Sequence, residues 1–144
     1  MKKLLGSIGY NSWIYRKGKE RDVCVLETLA DFLDFSFDPL ELKTKIEKAS
    51  YVRGFFDAEG GIPKDLNARF YVQLSQKDRT KMTKIKKLLN DVGIECGEIH
   101  NPSVRVDPDY WRMYVSSKFY EDFIKVIYSW HPRKKILLDN RVKI

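Results

Sequence analysis

Cysteine is scarce in this chain: Cys24 and Cys96 are its only two in 144 residues, they stand far apart, and neither belongs to a CxxC pair. That spacing argues against a zinc site and against a disulfide scaffold, and it reads as two reduced thiols in the core. Long apolar runs are missing too. The opening MKKLLGSIGYNS holds an apolar stretch too short for a signal peptide, and no later segment approaches the length that a bilayer demands. The expectation is a soluble, intracellular protein with no membrane partner. No unit of the sequence recurs. Acid is the minority charge, with 20 Asp and Glu against 27 Lys and Arg and a net charge of +7, so a polyanion is the leading class of partner.

What the chain does have is the material of a core, with 43% apolar and 13% aromatic residues, enough for one compact domain and an appendage. The appendage is residues 1–38. Lys2, Lys3, Arg16, Lys17, Lys19 and Arg21 surround an apolar WIY patch, and Val25, Leu26, Leu29, Ala30 and Leu33 recur at the spacing of one short helix. From residue 39 the order is regular. Asp38 as N-cap and Pro39 as first residue begin a long helix that stops at Gly60. RFYVQLSQ then alternates, with Phe70, Val72 and Leu74 on one face and Arg69, Tyr71, Gln73 and Ser75 on the other. Residues 79–92 return to helical spacing. Strands follow around IECGEIH and YWRMYVSS, then a helix capped by Ser117 that runs to Pro132, and RKKILLDN as a last short helix. This is an α+β pattern with an antiparallel sheet.

The first long helix ends in an odd way. Its last turn carries Asp57 and Glu59, where the partial negative charge of a helix C-terminus favours cations. Arg53, four residues earlier, can pair with Asp57. Glu59 has no such neighbour, and an uncompensated carboxylate beside exposed terminal carbonyls is an invitation to a hard cation such as Mg²⁺. On the same helix Tyr51, Gly54 and Ala58 share a narrow sector, while Val52, Phe55 and Phe56 point elsewhere. A small-xxx-small pair lets two helices approach closely, so this helix calls for a partner helix.

The stretch VRGFFDAEG resembles the nine-residue motif of the LAGLIDADG homing endonucleases, in which a helix with small packing residues ends in an acid followed by glycine. Val52, Gly54, Asp57, Ala58, Glu59 and Gly60 fall in register. Glutamate stands where aspartate is commoner at the metal-binding position. The order of elements is also similar to the αββαββα core of that family, with its curved antiparallel sheet, so the resemblance extends over residues 39–140 and makes 39–144 the endonuclease domain. One copy of the motif resembles the homodimeric branch, in which Tyr51, Gly54 and Ala58 would form the interface.

The resemblance implies a homing endonuclease that makes a staggered, Mg²⁺-dependent double-strand break in a long pseudo-palindromic DNA. It places Mg²⁺ on the Glu59 carboxylate and the Ala58 carbonyl, a solvent-ordering glutamine at Gln76, and a charge-offsetting lysine at Lys134, with Lys135 as the alternative. The polar strand faces suit base edges in a major groove: Arg69, Tyr71, Gln73, Ser75, Arg112 and Tyr114, joined by Cys96, Glu98 and His100 alternating on a third strand. Lys135 belongs with them if it is not catalytic. His131, before Pro132, reads as structural or phosphate-facing, and no HNH-like or His-Cys spacing supports a rival nuclease class. Two alternatives stay open on this fold: a maturase that binds intron RNA to assist splicing, and a DNA-binding protein without catalysis.

Overall fold

The computed structural model describes residues 2–18, 24–33 and 36–142, which leaves Lys19 and Arg21 outside the described residues. The chain divides into two compact units, Met1–Phe37 and Asp38–Ile144. In the first, the helix α1 (Lys2–Ser7) precedes two antiparallel strands, β1 (Ser12–Arg16) and β2 (Cys24–Thr28), paired from Ser12 opposite Thr28 to Arg16 opposite Cys24. The helix expected from Val25 to Leu33 is therefore a strand and a turn. Its apolar spacing covered barely two turns, too few for a helix to hold without strong packing, whereas Val25 and Thr28 prefer extended backbone, and the β-forming Tyr15 and Ile14 stand opposite Val25 and Leu26. The Tyr15 hydroxyl donates to Glu27 across the pair. Cys24, at the strand end, is exposed, so only Cys96 has the partly buried setting expected of both thiols.

The second unit opens with a 3-10 turn, Pro39–Glu41, where the Asp38 carboxylate accepts from the Leu40 amide at 3.0 Å. The single long helix expected from residue 39 is broken here, and α2 (Lys45–Glu59) starts afresh at Thr44. The reason is a capping box: Thr44 Oγ1 accepts from the Glu47 amide at 3.2 Å, and the Glu47 carboxylate accepts from the Thr44 amide at 2.8 Å. Removing the Thr44 hydroxyl with Thr44→Ala is expected to lower stability by about 1 kcal/mol, read from the urea midpoint. The amides of Thr44 and Lys43 hold the Glu47 carboxyl below its ordinary 4.5. Its contribution is thus present above that value and is lost as pH falls through the lower folded one.

Three antiparallel strands, in the order β3 (Gly60–Gly61), β4 (Gln73–Gln76) and β5 (Trp111–Tyr114), make the sheet. Residues 96–100 extend it through isolated bridges, Cys96 to Val115 and His100 to Arg112. The ladder of β4 is shorter than the alternation that announced it, although Val72 is buried on the same side as Leu74 and accepts from the Val115 amide at 3.0 Å. Helix α3 (Arg79–Asp91) matches its expected span. Ser117 does not cap the next helix; it begins a 3-10 turn, and α4 (Tyr120–Val126) follows without a side-chain cap. Pro132 ends nothing. It is the first residue of α5 (Pro132–Val142), where its missing N–H costs no hydrogen bond.

One face of the sheet is covered by the helices. Val52, Phe55 and Phe56 of α2, Met82, Ile85, Leu88 and Leu89 of α3, Phe123 of α4 and Leu138 of α5 close over Val72, Leu74 and Met113. The other face keeps its polar side chains. Among the described residues no helix is long and apolar enough to cross a membrane.

Candidate metal and nucleic-acid site

The last turn of α2 passes straight into β3, and the Gly60 amide bonds the Phe56 carbonyl. Gly60 is required by proximity: a Cβ there would be driven into the Phe56 ring and carbonyl, while one on Gly61 would meet only Gln73 Cβ at 3.9 Å. The two acids of this turn part company. Asp57 accepts the Ser129 hydroxyl and, at 3.0 Å, the Trp130 amide. It fastens the turn between α4 and α5, helped by the Ser129 Oγ, which accepts from the His131 amide at 3.1 Å. The expected Arg53–Asp57 pair does not form. Arg53 instead donates to the Ile127 and Val126 carbonyls and lies 4.8 Å from the Trp130 ring centre; carbonyls at the C-terminus of α4 suit a cation, and Asp57 already has two donors.

Pinning that turn aims α5 so that Lys134 returns to the end of α2. Its ammonium donates to the Phe56 carbonyl and, at 3.0 Å, to the Asp57 carbonyl, and it lies 4.8 Å from the Phe56 ring centre. The cation that the helix end wants comes from 77 residues downstream. Burial lowers the Lys134 pKa from 10.5, and Asp57 and Glu59 oppose the shift. Lys135, one position on, is exposed.

Glu59 is exposed, and among the described residues no hydrogen bond or ion pair engages its carboxylate. Ala58 is exposed as well, with no donor to its carbonyl among those residues. The Glu59 main-chain carbonyl accepts from Ser75 Oγ at 3.2 Å, which ties β4 to the helix end, and the next residue, Gln76, ends the strand opposite Trp111. The Gln76 Oε1 accepts from the Lys77 amide at 2.8 Å.

The polar sheet face gathers most of the remaining expected residues. Gln73 stands opposite Tyr114 and Ser75 opposite Arg112. The rings of Tyr71 and Tyr114 meet edge to face at 5.9 Å, and His100 stacks on Tyr114 at 6.1 Å. Arg112 donates to Tyr114 Oη at 3.1 Å and to Tyr110 Oη at 3.4 Å, which fixes its guanidinium along the strand, and its buried Nε has no acceptor. Tyr110 was missed in the sequence. Lying two residues before Arg112, it continues the same alternating face, and that was the signal. Its hydroxyl titrates below 10.0 because Arg112 donates to it, with Ser75 and Gln73 acting in the same direction. Ser129 had no signal, since only the folded turn brings it to Asp57. Arg69 sits at the margin, where it lines a shallow pocket with Phe70, Tyr71, Tyr114 and Tyr120. Glu98 pairs with Lys86 at 3.5 Å, away from the reading role. His131 is exposed beside Pro132.

On α2 the sector expected to meet a partner is open. Gly54 and Ala58 are exposed, a Cβ at Gly54 would meet nothing within 4 Å, and Tyr51 is half-buried. Val52, Phe55 and Phe56 are buried on the opposite side, as their spacing required.

A family profile described as the LAGLIDADG-like domain matches residues 47–128, more than half of the chain. The chain belongs to the LAGLIDADG-like family. Its matched region contains the helix end, β4 and β5, and stops at residue 128, just short of Ser129 and Trp130, which Asp57 holds. No curated protein matches this LAGLIDADG-like chain. Among solved structures, the crystal structure of I-DmoI in complex with DNA and Mn is similar at a TM-score of 0.63 and 21% identity, covering 88% of this chain and 68% of that one. A point variant of I-DmoI, bound to its target DNA in the presence of Mg, gives 0.63 at 20% identity, covering 87% and 67%. Mesophilic variants of the homing endonuclease I-DmoI give 0.63 at 17%, covering 88% and 68%. At these identities the likeness speaks for the LAGLIDADG fold, a mixture of helices and antiparallel sheet.

Proposed function

We propose that this chain is a site-specific DNA endonuclease that works as a homodimer and cuts a long pseudo-palindromic duplex with a divalent cation, Mg²⁺ for preference. The observation that carries the reading is the end of α2. There an exposed, unpaired Glu59 carboxylate and a free Ala58 carbonyl stand beside the Lys134 ammonium, while the neighbouring Asp57 is fully used in holding the fold. The I-DmoI structures with DNA and Mn or Mg lend support by family.

The donor set fits a shared ion. Mg²⁺ takes six oxygens in near-octahedral order and keeps several waters, and among the described residues no group of three or more His, Cys, Asp or Glu is placed to hold a metal ion. Glu59 and Ala58 supply two oxygens, half a protein site, and a second α2 packed on the Gly54 and Ala58 sector would bring the same pair from a partner chain. A bound cation would polarise the scissile phosphate and favour a hydroxide nucleophile. The chain's own part is to set the carboxylate at the duplex, to hold the Lys134 ammonium where negative charge gathers on the phosphate, and to order solvent at Gln76. Tyr71, Gln73, His100, Arg112 and Tyr114, with Arg69 and Lys135 at the margin, supply the donors, acceptors and flat rings for base edges and phosphates.

Incubation with Mg²⁺ and a broad library of duplex targets should yield discrete linear fragments with staggered ends. An absence of cutting across the library, with tight binding to a structured intron RNA, would give the maturase reading instead. The dimer has its own test. Gly54→Leu puts a large side chain into a surface that now meets nothing, so it should leave the folded monomer intact and raise the dimer dissociation constant at least about tenfold by sedimentation. A chain that sediments as a monomer both alone and on DNA would overturn the paired-helix arrangement.

A further inference from the structure

Ser75 was expected to touch DNA with the rest of its strand face. Its geometry says otherwise. A serine hydroxyl has one proton to donate and lone pairs to accept with; this proton goes to the main-chain carbonyl of Glu59 at 3.2 Å, and the same hydroxyl oxygen lies within hydrogen-bonding reach of the Tyr110 hydroxyl. That carbonyl is the last of α2, one of the four at a helix C-terminus that have no partner within the helix. The next two residues, Gly60 and Gly61, are paired with Leu74 and Gln73. The Glu59 backbone is therefore held to β4 at its own carbonyl and through the two residues that follow it, although its side chain is exposed. Across the sheet, Ser75 stands opposite Arg112, whose guanidinium is fixed between the Tyr110 and Tyr114 hydroxyls.

We infer that Ser75 is a positioning residue whose hydroxyl ties the tip of α2 to the reading strand, so that seating DNA on β4 and β5 and placing the Glu59 carboxylate become one event. The inference rests on the endonuclease reading given above. Its strength lies in the short path: Arg112 loads β5, β4 is its direct neighbour, and Ser75 passes the load to the residue that carries the acid. Without the hydroxyl, the carboxylate would still be present but would wander through a wider range of positions over the phosphate. Misplacement of that kind lowers the rate of reaction and leaves binding in place.

The test compares Ser75→Ala with Ser75→Thr, which keeps the hydroxyl. In the metal-free protein, amide hydrogen exchange at Gly60 and Gly61 should quicken about tenfold in Ser75→Ala and remain at the wild-type rate in Ser75→Thr. With Ca²⁺ in place of Mg²⁺, DNA affinity and the base preference at each target position should stay within about twofold of wild type in both. Single-turnover cleavage should slow about tenfold in Ser75→Ala, with a several-fold higher Mg²⁺ requirement, and recover in Ser75→Thr. Unchanged exchange in Ser75→Ala would overturn the tether, and so would a loss of DNA affinity or base preference with the bound complex still cutting at full rate. A wild type that cuts nothing sinks the nuclease reading alone, and the exchange comparison still decides the tether.

Discussion

Gly60→Ala is expected to destabilise the fold by about 3 kcal/mol or more, with Gly61→Ala within about 1 kcal/mol of wild type, both measured by urea unfolding. The two glycines are adjacent and look interchangeable in the sequence. Their surroundings are not alike. A methyl on Gly60 would enter the Phe56 ring and carbonyl, whereas one on Gly61 meets Gln73 Cβ at an ordinary 3.9 Å. Phe56 cannot step aside: it is fully buried, its ring meets Phe123 edge to face at 5.0 Å, and the Lys134 ammonium lies over it. The methyl must instead push β3 away from β4 or unwind the last turn of α2. Equal losses at the two positions would mean that backbone freedom, and not this contact, explains the pair.

Glu59→Gln is expected to reduce cleavage at least about a hundredfold while DNA affinity in Ca²⁺ changes by less than about threefold. Stability should be unchanged or gain a few tenths of a kcal/mol, because an exposed carboxylate is being removed from the negative end of a helix. Asp57→Asn should behave in the opposite way. That carboxylate accepts from Ser129 and from the Trp130 amide, so weakening it should cost about 1–3 kcal/mol of stability. Cleavage would then fall only as far as the turn, and with it Lys134, drifts. If Glu59→Gln proved the destabilising change and Asp57→Asn the catalytic one, the division of labour between these acids would be reversed.

Much of this could be read in the residues, and what could not has identifiable causes. Helix α3 was legible because five apolar side chains keep a single stripe over its whole length, and the sheet faces were legible because burial in a strand alternates. The motif at 52–60 announced both the helix end and its two acids. The break before α2 was also written, in Thr44 and Glu47, but a proline at 39 made a stronger claim to the helix start. β2 misled because local spacing said helix while a distant partner, β1, said strand; pairing across a hairpin is invisible to a window of ten residues. The same limit hid the fate of Arg53, Asp57 and Lys134. Which acid is structural depends on Ser129 and Trp130, more than 70 residues away, and which lysine reaches α2 depends on the start of α5 at Pro132.

That long reach has a consequence for synthesis. The tip of α2 emerges from the ribosome early, yet the turn that Asp57 clasps and the ammonium that caps the helix are translated much later. A nascent polypeptide thus lacks the finished helix tip until the segment around residue 134 has left the exit tunnel, and a truncated translation product would carry the acid motif without the clasped turn and the capping ammonium.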